Sequence, residues 1–193
     1  MQELDPWKDI DTDGYLFANA PMGQTWGNLH WLSLILCNNY TGRKSCLEIG
    51  TWHGAFSTFL GLIFPNATIT ADIRDQRSEH TKWLHHLLGV KFEQADCHKV
   101  DELRALVNKV VRPAFFFCDG GNKPKEFLLL APMLQESDII GVHDVGTEFN
   151  CADKKIAECI DMYQLIAIPM YEDEEGKLSY GVTETRSMYW MKK

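Results

Sequence analysis

Along the chain the apolar residues switch between a two-residue and a 3.6-residue spacing, and the switches fall at glycine, proline and asparagine. Residues 26–40 carry Leu29, Leu32, Leu34, Ile35 and Leu36, which predicts a mostly buried helix closed by Asn38-Asn39 and Thr41-Gly42. A short strand is expected at Ser45–Ile49. Residues 54–64 read as a helix stopped by Pro65-Asn66, and the β-branched run Thr68–Asp72 as a second strand. A helix at 78–88 and a weak third strand at Lys91–Gln94 follow. In 101–111, Leu103, Leu106, Val107, Val110 and Val111 recur at i, i+3, i+4, i+7 and i+8, the stripe of an amphipathic helix. Ala114–Cys118 is an unbroken apolar run of strand length, as in a central parallel strand covered on both faces. Residues 125–134 read as a helix disturbed at Pro132, 139–143 as another buried strand and 152–163 as a last helix. Segments 165–171 and 186–191 have no helical stretch between them and are expected to pair antiparallel at the sheet edge.

Strands alternating with helices and ending in a hairpin predict an α/β fold. The expected form is a doubly wound, Rossmann-like sandwich with a mostly parallel sheet and a C-terminal antiparallel hairpin. With no repeat, low-complexity tract or linker, 1–193 reads as a single domain: an N-terminal lid and helix (1–44) and a core (45–193). Such sheets bind ligands beyond the carboxyl ends of their strands, where the strand order reverses. Chemistry is therefore expected just after Ile49, Ala71, Ala95, Cys118 and Val142.

After the first strand stands Glu48-Ile49-Gly50-Thr51-Trp52-His53-Gly54. Gly50 and Gly54 allow a tight turn and a close backbone approach, and the following helix start offers free amide donors. Asp72, about 20 residues on, is placed to accept hydrogen bonds from both hydroxyls of a ribose, although taken alone it reads better as a turn or helix-cap residue. Asp96 and Asp119 follow the third and fourth strands, so four successive strands end in or beside a carboxylate. The three-glycine dinucleotide fingerprint and the G-x-x-x-x-G-K-[S/T] loop are absent, which favours a nucleoside ligand without phosphates. His143, Lys123 and His53 lie at the same edge, where a neutral His or Lys can act as a general base. His53 is expected to serve through its backbone. The adjacent pair His85-His86 does not share a helix face, and Cys97-His98 lacks a partner at zinc spacing.

Composition narrows the partners. The 193 residues are 45% hydrophobic and 24% charged, and 19 basic against 27 acidic residues leave a net charge of −8. That sign argues against coating nucleic acid or an anionic membrane. The acidic start lacks the pattern of a secretory signal, and the stretch 55–71, broken by Pro65 and Asn66, falls short of a membrane span. Six cysteines without a C-x-x-C pair read as reduced thiols in a cytoplasmic protein. Glu172 to Glu175 with Gly176 read as a solvated hairpin tip.

The loop from Glu48 to Gly54, with Asp72, Asp96 and Asp119 in order, resembles the motif series of class I S-adenosylmethionine (SAM)-dependent methyltransferases, over roughly residues 24–145. The resemblance implies that Gly50, Trp52, His53 and Gly54 lie against the methionine part, with Glu48 at the same edge. It implies that Asp72, with Ile73 beside it, binds the ribose and that Asp96 and Cys97 lie by the adenine. Residues 17–26 would form a lid in which Gln24 approaches the methionine carboxylate. Phe117-Cys118-Asp119-Gly120-Gly121-Asn122 and Ile139-Ile140-Gly141-Val142-His143-Asp144-Val145 are similar to paired segments of the small sugar and antibiotic O-methyltransferases, including cephalosporin-hydroxylase-type proteins. That likeness implies a divalent cation, magnesium or a transition metal, at Asp119, His143 and Asp144. Asn122 and Lys123 depart from the common aspartate-glycine-x-histidine version. The implied activity is O-methylation of a small polar hydroxyl substrate such as a sugar, with His143 or Lys123 as base. The alternatives are an NAD-dependent oxidoreductase, disfavoured by the glycine spacing, and a non-catalytic nucleoside-binding scaffold. The short length points to a small-molecule substrate or to help from a second subunit in a homo-oligomer.

Overall fold

The computed structural model describes residues 42–167, 170–172, 178–180 and 187–193, preceded by 16–17, 20–21, 29, 32–33 and 35–36. Seven strands form one sheet: β1 (Ser45–Ile49), β2 (Thr68–Asp72), β3 (Lys91–Gln94), β4 (Ala114–Cys118), β5 (Ile139–Val142), β6 (Tyr163–Ala167) and β7 (Met188–Lys192). Their order is β3-β2-β1-β4-β5-β7-β6. Strands β1 to β5 are parallel, and β7 runs antiparallel to both its neighbours. The direction of winding reverses between β1 and β4, which opens a crevice at their carboxyl ends.

The β4 sequence Ala-Phe-Phe-Phe-Cys explains its central place, since all five residues are buried. Phe116 and Cys118 join a core cluster with Leu103 and Leu106 of α3 (Val100–Val107), Phe127 of α4 (Lys123–Leu130) and Ile156 of α5 (Lys154–Ile160). Phe115 and Phe117 point the other way, onto Phe56 and Leu60 of α1 (Ala55–Ile63) and onto Leu29, Leu32, Ile35 and Leu36. This two-residue alternation covers the sheet on both faces. Helix α2 (Glu79–Leu88) starts at an N-cap, Ser78, whose hydroxyl accepts from Thr81 N, and ends at Gly89 in the left-handed region.

Four predicted segments change. Helix α3 ends at Val107, not at Val111, because Val111 turns to the sheet and exchanges two hydrogen bonds with the Ser45 hydroxyl, 2.8 and 3.0 Å long. Helix α5 stops at Ile160, and Tyr163 opens β6 with its hydroxyl on the Ala131 carbonyl, 2.6 Å away. Pro132 ends α4 through a 3₁₀ turn at Ala131–Met133. The expected terminal pair forms, but β7 inserts between β5 and β6, so of these two strands β6 alone lies at the edge. The predicted segment 165–171 is divided, since Met170–Glu172 pairs with Leu178–Tyr180 in a separate ribbon. The tip at 173–177, Arg186, Gln24 and most of the proposed lid lie outside the described residues.

Candidate active site

The loop after β1 is wound tightly, with positive φ at Gly50 (97°), Trp52 (46°) and Gly54 (82°). A Cβ at Gly50 would stand 2.6 Å from Gly120 N, so only glycine lets the β1 and β4 loops approach this closely. Trp52 N donates to Asp72 Oδ2 at 3.0 Å and Arg74 N to Asp72 Oδ1 at 3.3 Å, which fixes this carboxylate at the end of β2. The far end of the loop is held from α2. The His85 ring lies with Nδ1 3.0 Å from Arg77 Nη1 and Nε2 3.0 Å from the Gly54 carbonyl. A guanidinium can only donate, so Nδ1 accepts and Nε2 donates. Burial lowers the His85 pKa to about 4, which keeps this ring neutral and the arrangement intact.

A cavity of about 540 Å³ opens beyond these strand ends. Of the residues singled out in the sequence, Gly50, Trp52, Asp72, Ile73, Asp96, Cys97 and Asp119 line it. His53 is not in the lining; its Nδ1 donates to the Gln76 carbonyl at 3.3 Å and its ring packs on Trp52. His98, set aside in the sequence for lack of a partner at zinc spacing, and Glu126, which the sequence reading did not single out, also line the cavity. Glu126, in the first turn of α4, accepts from Gly120 N and Asn122 N at 3.1 and 3.2 Å and lies 3.5 Å from His98 Nε2. No local motif marks these two, because their meeting depends on how α4 packs.

Glu48 also falls outside the lining. It is buried under α1, where it accepts from the Ser57 and Thr70 hydroxyls, and Thr51 Oγ1 lies 2.6 Å from Thr70 Oγ1. Burial raises its pKa from 4.5 to about 8. The folded state thus keeps a proton that the unfolded chain releases, so stability falls as pH rises through that window. Urea unfolding at a series of pH values is expected to show wild type losing roughly 3 kcal/mol between about pH 5 and 8 relative to Glu48→Gln. Parallel pH profiles for the two proteins would refute a buried neutral carboxyl.

Beside the cavity, Asp119, His143 and Asp144 form a second group. His143 Nδ1 lies 2.9 Å from Asp119 Oδ1 and 3.4 Å from Asp144 Oδ2, and among the described residues Nε2 makes no hydrogen bond. Asp144 has φ +56°, a left-handed conformation that aspartate tolerates, and its carbonyl accepts from Glu148 N and Phe149 N. Burial opposes the charged His143 ring, but the bonds and charges of Asp119 and Asp144 overcome it and raise its pKa to about 9. The same bond to His143 holds Asp144 well below the usual carboxylate range. One ligand atom from each of the three residues lies within 4.8 Å of the others, which by type and spacing alone is a cation-ligand set. Lys123 reaches the same group, with Nζ 3.0 Å from Asp144 Oδ2, 2.8 Å from Glu148 Oε2 and 3.9 Å from Asp119 Oδ1. Burial works against its charge, but Glu148, Asp119 and Asp144 outweigh that and raise its pKa. Lys123 is thus held as a donor among these acids, with Asp144 and Glu148 as its acceptors.

No family model matches the chain, and no curated protein matches it. Solved structures do. The MycE methyltransferase of the mycinamycin biosynthetic pathway, in complex with magnesium and S-adenosylhomocysteine (SAH), superposes with a TM-score of 0.55 at 15% identity, covering 84% of this chain and 48% of MycE. The chain thus spans about half the length of the MycE structures it matches. An O-methyltransferase from Bacillus cereus, in complex with SAH, gives a TM-score of 0.55 at 17% identity over 86% of this chain and 80% of its own. A SAM-dependent methyltransferase from Anabaena variabilis gives 0.52 at 10% identity over 87% and 86%. The chain has the Rossmann-like fold of these methyltransferases.

Proposed function

We propose that the protein is a SAM-dependent methyltransferase acting on a hydroxyl of a small polar molecule such as a sugar. The observation that carries the reading is the double position of Asp119, which lines the cavity and holds His143 Nδ1 at 2.9 Å. A methyl donor in the cavity and an acceptor beside His143 would meet at this one carboxylate. The likeness of fold to SAH-bound methyltransferases supports it.

SAM would supply a methyl group on a sulfonium, and its transfer is an in-line displacement for which alignment is the main requirement. In this reading the Gly50–Gly54 loop carries the methionine part, Asp72 with Ile73 the ribose, and Asp96 with Cys97 the adenine. Asp119 fixes the tautomer and orientation of His143, so that Nε2 takes the hydroxyl proton as the O–CH₃ bond forms and the S–CH₃ bond breaks. A positive charge entering the cavity disfavours the imidazolium and so favours the neutral ring needed for this step. Asp119, His143 and Asp144 are the residues that would hold a divalent cation, which would supply Lewis-acid lowering of a hydroxyl pKa, but the Lys123 ammonium already sits 3.0 Å from Asp144 Oδ2, so no metal is assigned to the step. Among the described residues no helix is long and apolar enough to cross a membrane. The free thiols of Cys46, Cys97, Cys118, Cys151 and Cys159 support a cytoplasmic setting.

Calorimetry with SAM, SAH and NAD tests the reading. SAH is expected to bind the wild type, and Asp72→Ala to weaken it by about 100-fold or more, the loss of two charge-assisted hydrogen bonds to ribose. Binding of NAD without binding of either sulfur ligand would overturn it in favour of an oxidoreductase. SAH binding with no transfer to any hydroxyl acceptor would leave a nucleoside-binding scaffold.

A further inference from the structure

We propose that Lys123 is a built-in counter-cation of the Asp119–His143–Asp144 cluster and holds divalent metal off it, so that the site works with an internal ammonium. The inference rests on the proposed reading of this site, but its test does not require methyl transfer.

Lys123 is the first residue of α4, and its side chain is almost wholly buried. A helix start favours acidic side chains and disfavours a cation, so nothing in the helix itself calls for lysine here. The surrounding acids do. An ammonium has three protons to donate, and Nζ finds three acceptors: Glu148 Oε2 at 2.8 Å, Asp144 Oδ2 at 3.0 Å and the Gly120 carbonyl at 3.1 Å. The group is therefore saturated without solvent.

The shared atom matters most. Asp144 Oδ2 serves Lys123 Nζ and lies 3.4 Å from His143 Nδ1. A metal ion drawing on Asp144 would have to share that carboxylate with a fixed cation, and the two repel. Displacing Lys123 would strip a buried ammonium of its partners, which is strongly unfavourable. His143 offers Nδ1 to the same two carboxylates, so an ion there would also have to break the imidazole's bond to Asp119. Glu148, the most exposed member, lies outside the three-residue donor set and anchors Lys123 at 2.8 Å.

Manganese is the probe, with binding read by calorimetry and by the electron paramagnetic resonance of free Mn²⁺, on the full chain without SAM. Wild type is expected to bind Mn²⁺ only in the millimolar range. Lys123→Met and Lys123→Gln keep the buried stem without the charge and are expected to bind it at least tenfold tighter, whereas Lys123→Arg stays weak. Micromolar binding by wild type overturns the proposal, even if no variant folds. Equal affinity in wild type and in folded Met and Gln variants overturns it as well. Calorimetry with SAH on the same wild-type sample reads the methyltransferase assignment separately, so either idea can fail alone.

Discussion

Gly50→Ala is expected to remove measurable SAH binding, a loss of more than 100-fold, and to lower stability by about 3 kcal/mol. Two effects combine. Residue 50 has φ 97°, which an alanine adopts only with strain. Its new Cβ would also stand 2.6 Å from Gly120 N, and this neighbour is backbone, so no side chain can swing aside. The β1 and β4 loops would have to separate. They are tied together by the bond from Asp119 N to the Ile49 carbonyl, 2.9 Å, and Asp119 is the residue shared by the cavity and the His143 group. Gly121→Ala is the control, because its Cβ would meet nothing within 4 Å and should change stability by less than about 0.5 kcal/mol. Thermal unfolding and SAH calorimetry read both variants. SAH affinity within threefold of wild type in Gly50→Ala would show that this loop does not carry the ligand.

The parallel half of the sheet was legible because most of its strands carry a local signal. β1, β2, β3 and β4 run over the residues expected of them; β1, β2 and β4 are filled by apolar or β-branched side chains, whereas the polar β3 was marked mainly by its place between helices. The C-terminal order was less legible. That β7 slips between β5 and β6 is a long-range choice, made when Tyr189 and Trp190 bury opposite Gly141 and Ile140, and no local spacing encodes it. The site shows the same division. Asp72, Asp96 and Asp119 follow from their places at strand ends, whereas Glu48 was misplaced by one step of alternation. It shares the face of Cys46, toward α1, while Leu47 and Ile49 face the other core. His85 was set aside because it cannot pair with His86 on one face. Its part in holding Gly54 depends on the packing of α2 against α1 and on Arg77, eight residues earlier. Lys123 drew notice as a base, and its partners Asp144 and Glu148 come from a loop more than 20 residues later.

His143→Ala is expected to lower kcat for methyl transfer to a hydroxyl acceptor by about 10³-fold, the usual contribution of a positioned general base. SAH affinity should stay within threefold, because His143 does not line the cavity. The split between turnover and binding separates a base from a cofactor ligand. It does not separate a base from a group that merely holds Asp119 in place, since the two are joined at 2.9 Å. His143→Gln makes that distinction: its amide can still donate to Asp119, yet it cannot take a proton. If orientation of Asp119 were the whole role, the glutamine variant would recover most of the activity lost in alanine. If proton acceptance is the role, both variants stay slow, and added imidazole raises the rate of His143→Ala in proportion to its neutral form. Turnover of the alanine variant within tenfold of wild type would move proton acceptance away from His143, and Asp119 would be the next group to test.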